Sequence, residues 1–253
     1  MEGEERAGRL SSIFAAVLII VLLAEIIATI NRAAGLFLHF IAIFIAVFYV
    51  VFLKKDIYII SLSLPSIFRI INFSMPVFFP YTIYWFPLVY SPIFVSVYIA
   101  ATILNLKVED VGLSLRRWYF YIPAGVAIGY ILAFPEFMIL QPDSLIPDFS
   151  LKSIVTLCVV MYVFVALAEE LVFRSVLQSA LEKEFGLLKG LLLATGLFAV
   201  MHVEYGLLEV CFAFLAGLLI GFIFQRTRSL LFVTTIHGTV NVMIFGLFHA
   251  LWI

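Results

Sequence analysis

Along this chain, apolar and polar positions alternate on the scale of a bilayer. Apolar runs of about 17 to 23 residues, enough to cross a hydrocarbon core, are separated by short polar breaks. The first runs from Ser11 to Ile30 and stops at Asn31-Arg32. The second covers Leu36 to Leu53 and stops at Lys54-Lys55-Asp56. The third, Ile57 to about Met75, is interrupted by Pro65 and Arg69, which makes it the weakest span and a candidate re-entrant segment. Pro76, Pro80 and Pro87 break the chain before the fourth, Pro87 to Leu104. A polar stretch, Lys107 to Arg117, precedes the fifth, Trp118 to Leu140. Gln141 to Ser150, with two prolines and two aspartates, reads as an exposed loop. The sixth runs from Leu151 to about Phe185, the seventh from Leu187 to His202, the eighth from Leu207 to Gln225 and the ninth from Leu230 to Trp252. The pattern predicts an all-α polytopic transmembrane helical bundle of eight or nine membrane segments. Residues 1–253 form one integral-membrane domain.

Composition narrows the class further. The chain is 65% hydrophobic and 12% charged, with a mean hydropathy of +1.20, whereas soluble domains are nearer a quarter charged. A net charge of −1, with no basic run, gives no reason to expect a nucleic-acid partner. Cys158 and Cys211 both lie in apolar runs and read as small buried hydrophobes. The first segment shows no convincing cleavage site and reads as a retained helix.

Charge sets an orientation. With the amino terminus in the cytosol, Arg6, Arg9, Lys54, Lys55, Lys107, Arg116, Arg117, Lys183, Lys189, Arg226 and Arg228 fall inside. Only Arg32 and Lys152 fall outside, a clear positive-inside bias.

Against this apolar background a few polar residues stand out. Glu169 and Glu170 end an apolar run, Arg174 follows one turn later, and His202, His237 and Asn241 lie in later segments. Ionisable groups inside membrane segments are costly and usually functional. The turn between the sixth and seventh segments falls near Phe185-Gly186. Counting back to Glu169 and forward to His202 gives nearly equal distances, so the two should lie at similar depth. Glu170 and Arg174, at i and i+4, suit an ion pair. Glu169 points about 100° away, lacks that partner, and suits a general base that takes a proton from water; the reverse assignment of the two glutamates stays open. His237 and Asn241 again share one helix face and can donate hydrogen bonds to an oxyanion. His237 lies about two turns from the cytosolic start of its helix, which puts the site toward the cytosolic side. For His202 to reach that depth, the sixth and seventh helices must project beyond the membrane there.

Blander readings compete. The two glutamates could be a satisfied buried pair, and His237 with Asn241 interhelical hydrogen-bond glue. His39 and His249 read as structural. Glu25, Arg69, Glu136 and Glu209 could pair across helices, line a substrate path or mark a transporter. The 27 phenylalanines read as lipid-facing and core packing.

Glu169-Glu170-x-x-x-Arg174, Phe198-x-x-x-His202 and His237-x-x-x-Asn241 resemble, in order and placement, the three motifs of the CAAX-protease and bacteriocin-processing family, which includes the Ras-converting CAAX endopeptidase. The resemblance covers about Ala168 to Asn241. It implies an intramembrane endopeptidase in which Glu169 and His202 activate water and His237 and Asn241 form the oxyanion hole. Glu170 and Arg174 would support the site. It also implies a lipidated or hydrophobic peptide substrate; in the members most like the Ras-converting enzyme this is a prenylated carboxy-terminal tail. The family has been classed both as metalloprotease and as glutamate protease. A metal-free site is the favoured reading. Zinc on Glu169, His202 and His237 is the alternative, since a His₂Glu set with water is a known catalytic arrangement. The competing function is a membrane transporter or immunity-type binding protein. The absence of an internal repeat weighs against it.

Overall fold

The computed structural model describes residues 11–53, 56–74 and 82–252. Lys54, Lys55, Arg6, Arg9, Pro76 and Pro80, which entered the reading of breaks and orientation, lie outside them. The described residues hold helices and no strand. Among the described residues, nine apolar helical segments lie where nine were marked: α1 Ser12–Ile30, α2 Arg32–Leu53, α3 Ile57–Phe73, α4 Thr82–Ile103, α5 Trp118–Leu140, α6 Leu151–Phe185, α7 Leu187–Val200, α8 Leu207–Thr227 and α9 Leu230–Ala250. Seven are long and apolar enough to cross a membrane, whereas α3 and α7 are shorter.

Local chemistry sets the ends. The Ser11, Ser150 and Ser229 hydroxyls accept from backbone N–H groups in the first turns of α1, α6 and α9, as N-cap side chains do. Asn31 ends α1 through its own N–H to Ile27 and starts α2 by accepting from the N–H of Ala34. Gly186, at φ 84°, breaks α6 from α7 in a conformation that favours glycine.

Packing is inside-out relative to a soluble protein. Phe37, Phe40 and Phe44 on α2 and Leu215, Leu219 and Phe222 on α8 are exposed, as a lipid-facing surface requires. Polar residues lie within: Glu25, His39, Arg69, Glu170 and Arg174 are all buried. Small residues permit the closest crossings. Gly129 of α5 abuts the Ile236 carbonyl and Thr239 of α9, and Gly238 abuts the ring of Tyr162 on α6. Any side chain at either glycine would clash. The Tyr162 and Thr239 hydroxyls meet at 2.7 Å across the α6–α9 contact.

Two expectations are refined. Cys158 is half-buried and Cys211 exposed, both free, so Cys211 is not a buried hydrophobe but part of the outer face of α8. His39 is fully buried and structural, with Nδ1 3.1 Å from the Ser66 hydroxyl and Nε2 3.4 Å from Glu25.

Candidate functional site

The glutamates sit on an irregular stretch of α6. Leu167–Glu170 is a single α-helical turn between two wider π-type stretches, Val160–Ala166 and Leu171–Gln178. Such widenings recur at functional sites, and no periodicity in the sequence announces this one. α6 is 35 residues long, well beyond the roughly 20 a span needs.

Glu170 is fully buried and holds two partners: Arg174 Nε donates to Oε2 at 3.1 Å, and His237 Nδ1 lies 2.8 Å from Oε1. A carboxylate only accepts, so Nδ1 of His237 carries the proton. Nε2 of His237 then faces Glu169 Oε2 at 3.7 Å. A proton on either atom turns this contact from lone pair against lone pair into an attraction. The result is a continuous line, Arg174–Glu170–His237–Glu169, joining α6 to α9.

Glu169 lines a cavity of about 330 Å³ together with His202, Tyr90, Arg69 and Asn72. The equal counting from the α6–α7 turn thus corresponds to a shared cavity. The Tyr90 hydroxyl donates to Glu169 Oε1 at 3.2 Å. Nδ1 of His202 lies 2.9 Å from the Phe198 carbonyl. Carbonyls only accept, so the proton sits on Nδ1 and Nε2 is left as an acceptor. Phe198 packs against both histidines, its centroid 4.8 Å from that of His202 and 6.2 Å from that of His237. Its face also covers Arg174, whose guanidinium carbon is 4.9 Å from the ring centre. Both Nη atoms of Arg174 lack hydrogen-bond partners among the described residues, so this cation–π contact is what they rest on.

His237 and His202 also border a second, small cavity of about 30 Å³ with Glu136 and Glu209. Asn241 is buried one turn beyond His237 and lines neither of these two cavities.

The sequence reading did not single out Tyr90, and Arg69 only as one of several stray charges. Arg69 of α3 pairs with Glu25 of α1 at 2.7 Å and with Glu204 at 3.1 Å, and donates to the carbonyl of Met201. Glu204 and Met201 flank His202. The amino-terminal helices therefore hold the loop that carries His202. Arg32, Glu204 and Tyr205 border the larger cavity, in the turns between α1 and α2 and between α7 and α8. The basic residues collect at the other end of these helices: Lys183 pairs with Asp110 at 2.6 Å, Arg228 pairs with Glu182, and the N–H of Leu230 bonds the carbonyl of Gly112.

Among the described residues no three His, Cys, Asp or Glu side chains converge as a metal-binding group, and both nitrogens of His237 face carboxylates.

Residues 151–243, which contain every motif residue above, match the family model described as Type II CAAX prenyl endopeptidase Rce1-like. Over those residues the chain is similar to the CAAX protease family. No curated protein and no solved structure matches it. That family is one of membrane peptidases. The match favours a hydrolase over the transporter reading. It begins at α6, so α1–α5 of this chain, including Tyr90 and Arg69, fall outside it.

Proposed function

We propose that the protein is an endopeptidase that cuts a lipidated or hydrophobic peptide, most simply the prenylated tail of a CAAX-type substrate, using water activated by Glu169 and His202. The observation that carries this reading is the shared cavity: Glu169, braced by Tyr90, and His202, with Nε2 left as an acceptor, line the same space. A water between them would give up a proton as its oxygen attacks the scissile carbonyl carbon. The carbonyl oxygen takes the negative charge, stabilised by His237 with a proton on its Nε2 as well as on Nδ1; Asn241, which lines neither cavity, is given no direct contact with it. Glu170 and Arg174 fix the ring of His237. Collapse of the tetrahedral intermediate breaks the C–N bond. The proton taken from water passes to the leaving nitrogen, giving an amine and a carboxylic acid, which then releases its own proton to the amine or to water.

The basic end is proposed to face the cytosol, with the amino terminus. His237 then lies about two turns from the cytosolic start of α9, while the cavity that holds Glu169 and His202 is bordered by Arg32, Glu204 and Tyr205 at the opposite end, so the chemistry is not assigned to the cytosolic face. No metal has a part in this scheme.

The test is cleavage of a quenched fluorescent prenylated CAAX peptide by the detergent-purified protein, comparing wild type with Glu169→Ala, with and without a strong chelator. Cleavage that is lost in the variant and survives the chelator supports both the base and the metal-free scheme. A folded wild type that cleaves hydrophobic peptides but not the prenylated one removes the CAAX substrate. Loss of activity in chelator, restored by zinc, overturns the metal-free scheme.

A further inference from the structure

Away from the catalytic residues, two cavities of similar size meet at the basic end of the bundle. The first, about 460 Å³, is bordered by Gly112, Ser114, Arg116, Arg117, Arg226 and Arg228. The second, about 450 Å³, is a groove bordered by Tyr162, Val163, Leu167, Leu231 and Thr234. They share Gly112, Leu113 and Ser114, so the basic cavity continues into the apolar groove.

The charges in the first cavity are uneven. Arg228 is engaged by Glu182 and the Ser179 hydroxyl. Arg116, Arg117 and Arg226 form no ion pair among the described residues, and all three are exposed. Glu109 is the single carboxylate on the lining. Residues 117 and 228 both take left-handed backbone conformations, at φ 59° and 45°, which turn the chain sharply where α5 begins and α8 ends. The floor is fixed by the bond from the Leu230 N–H to the Gly112 carbonyl. The groove lies on the outer surface of α6 and α9, where Val163 is exposed. Its one buried polar group without a partner is the Thr234 hydroxyl.

We propose that these joined cavities bind one anionic phospholipid, with the phosphate among Arg116, Arg117 and Arg226 and an acyl chain along the Val163–Leu231 groove. Charge and polarity both choose this occupant. Three guanidinium groups outside any ion pair among the described residues attract a phosphate, and the cavity they border continues into an apolar groove on the outer surface. The Thr234 hydroxyl lies along the same path and can donate to an ester carbonyl. A soluble phosphate would leave the groove unused, and a zwitterionic lipid would leave the arginine charge uncompensated.

The test is native mass spectrometry of the full-length protein in detergent, with dioleoyl phosphatidylglycerol and dioleoyl phosphatidylcholine in equal amounts. Wild type should retain phosphatidylglycerol preferentially, by about five-fold per contributing arginine. Arg116→Gln/Arg117→Gln/Arg226→Gln should bring the preference close to one, while Lys152→Gln, a charge removed elsewhere, should not. Val163→Trp, which fills the groove, should weaken retention of the dioleoyl lipid with every arginine in place. Thermal unfolding of each variant shows that it is folded. Equal retention of the two lipids by wild type, or a preference that survives the triple substitution, overturns the proposal. So does displacement by inorganic phosphate, which would make this a free-anion site, or by a prenylated peptide, which would make it part of the substrate path.

Discussion

Glu170 reaches from α6 to α9 and sets its Oε1 2.8 Å from Nδ1 of His237, while its Oε2 holds Arg174. One buried carboxylate thus joins the Glu-Glu motif to the His-Asn motif. His237 is oriented by this residue and also faces Glu169, so the two adjacent glutamates play unlike parts around one ring.

Breaking this link has a predicted cost. Glu170→Gln leaves Arg174 as a fully buried cation with no counter-charge, and removing one partner of such a pair costs about 3–5 kcal/mol. A clear fall in unfolding temperature in detergent is expected. The double variant Glu170→Gln/Arg174→Met, which removes both charges, should recover much of it. Equal unfolding temperatures for Glu170→Gln and wild type would show that the pair is not a structural brace.

Tyr90→Phe removes the hydroxyl that donates to Glu169 and leaves the ring in place. A hydrogen bond to a charged group contributes about 1.5–3 kcal/mol, so a fall in kcat of roughly ten-fold or more is expected, with KM little changed. Steady-state kinetics on the peptide reporter decide this. An unchanged kcat would remove Tyr90 from the site.

Arg69 acts at a distance, through the Met201 carbonyl and Glu204 on either side of His202. Arg69→Met should lower both stability and kcat, because Glu25 loses its guanidinium partner and the His202 loop loses its anchor. The double variant Glu25→Gln/Arg69→Met removes the stranded carboxylate. It should regain stability but not rate. Recovery of both together would show that Arg69 only stabilises the fold.

At the basic end, Asp110 offers a pH test outside the membrane-spanning segments. Partial burial works to raise its pKa, but hydrogen bonds from Lys183 and from the Lys107 backbone N–H outweigh it, and the carboxyl sits below its ordinary value of 3.8. A folded-state pKa lowered in this way stabilises the protein above the unfolded value, and the contribution is lost as the pH falls through the lowered one. Both side chains are partly exposed, so the gain is about 0.2–1 kcal/mol. Asp110→Asn should therefore lower the unfolding temperature slightly at neutral pH. The difference from wild type should close in acid. A gap that widened in acid would contradict the sign.

The sequence by itself determined the class of molecule and named most of the candidate residues. Nine apolar runs with polar breaks are legible because a bilayer demands about twenty apolar residues in a row, a local property. Glu170 with Arg174, and His237 with Asn241, are legible because i and i+4 share a helix face whatever surrounds them. The equal counting from Gly186 put Glu169 and His202 at one depth because helices rise uniformly. What the sequence could not determine was which partner each side chain turns toward. Pairing of His237 with both glutamates depends on how α9 crosses α6, which Gly238 and Tyr162 set through their close contact. The places of Tyr90 and Arg69 depend on helices that carry no motif, since an isolated tyrosine or arginine in an apolar run has no signature until its neighbour is known. The widened turns around Glu169 were equally hidden, because a shift of backbone hydrogen bonding leaves the hydrophobic pattern intact. Contacts between residues far apart in the chain are set by packing, and packing is decided by the whole bundle at once.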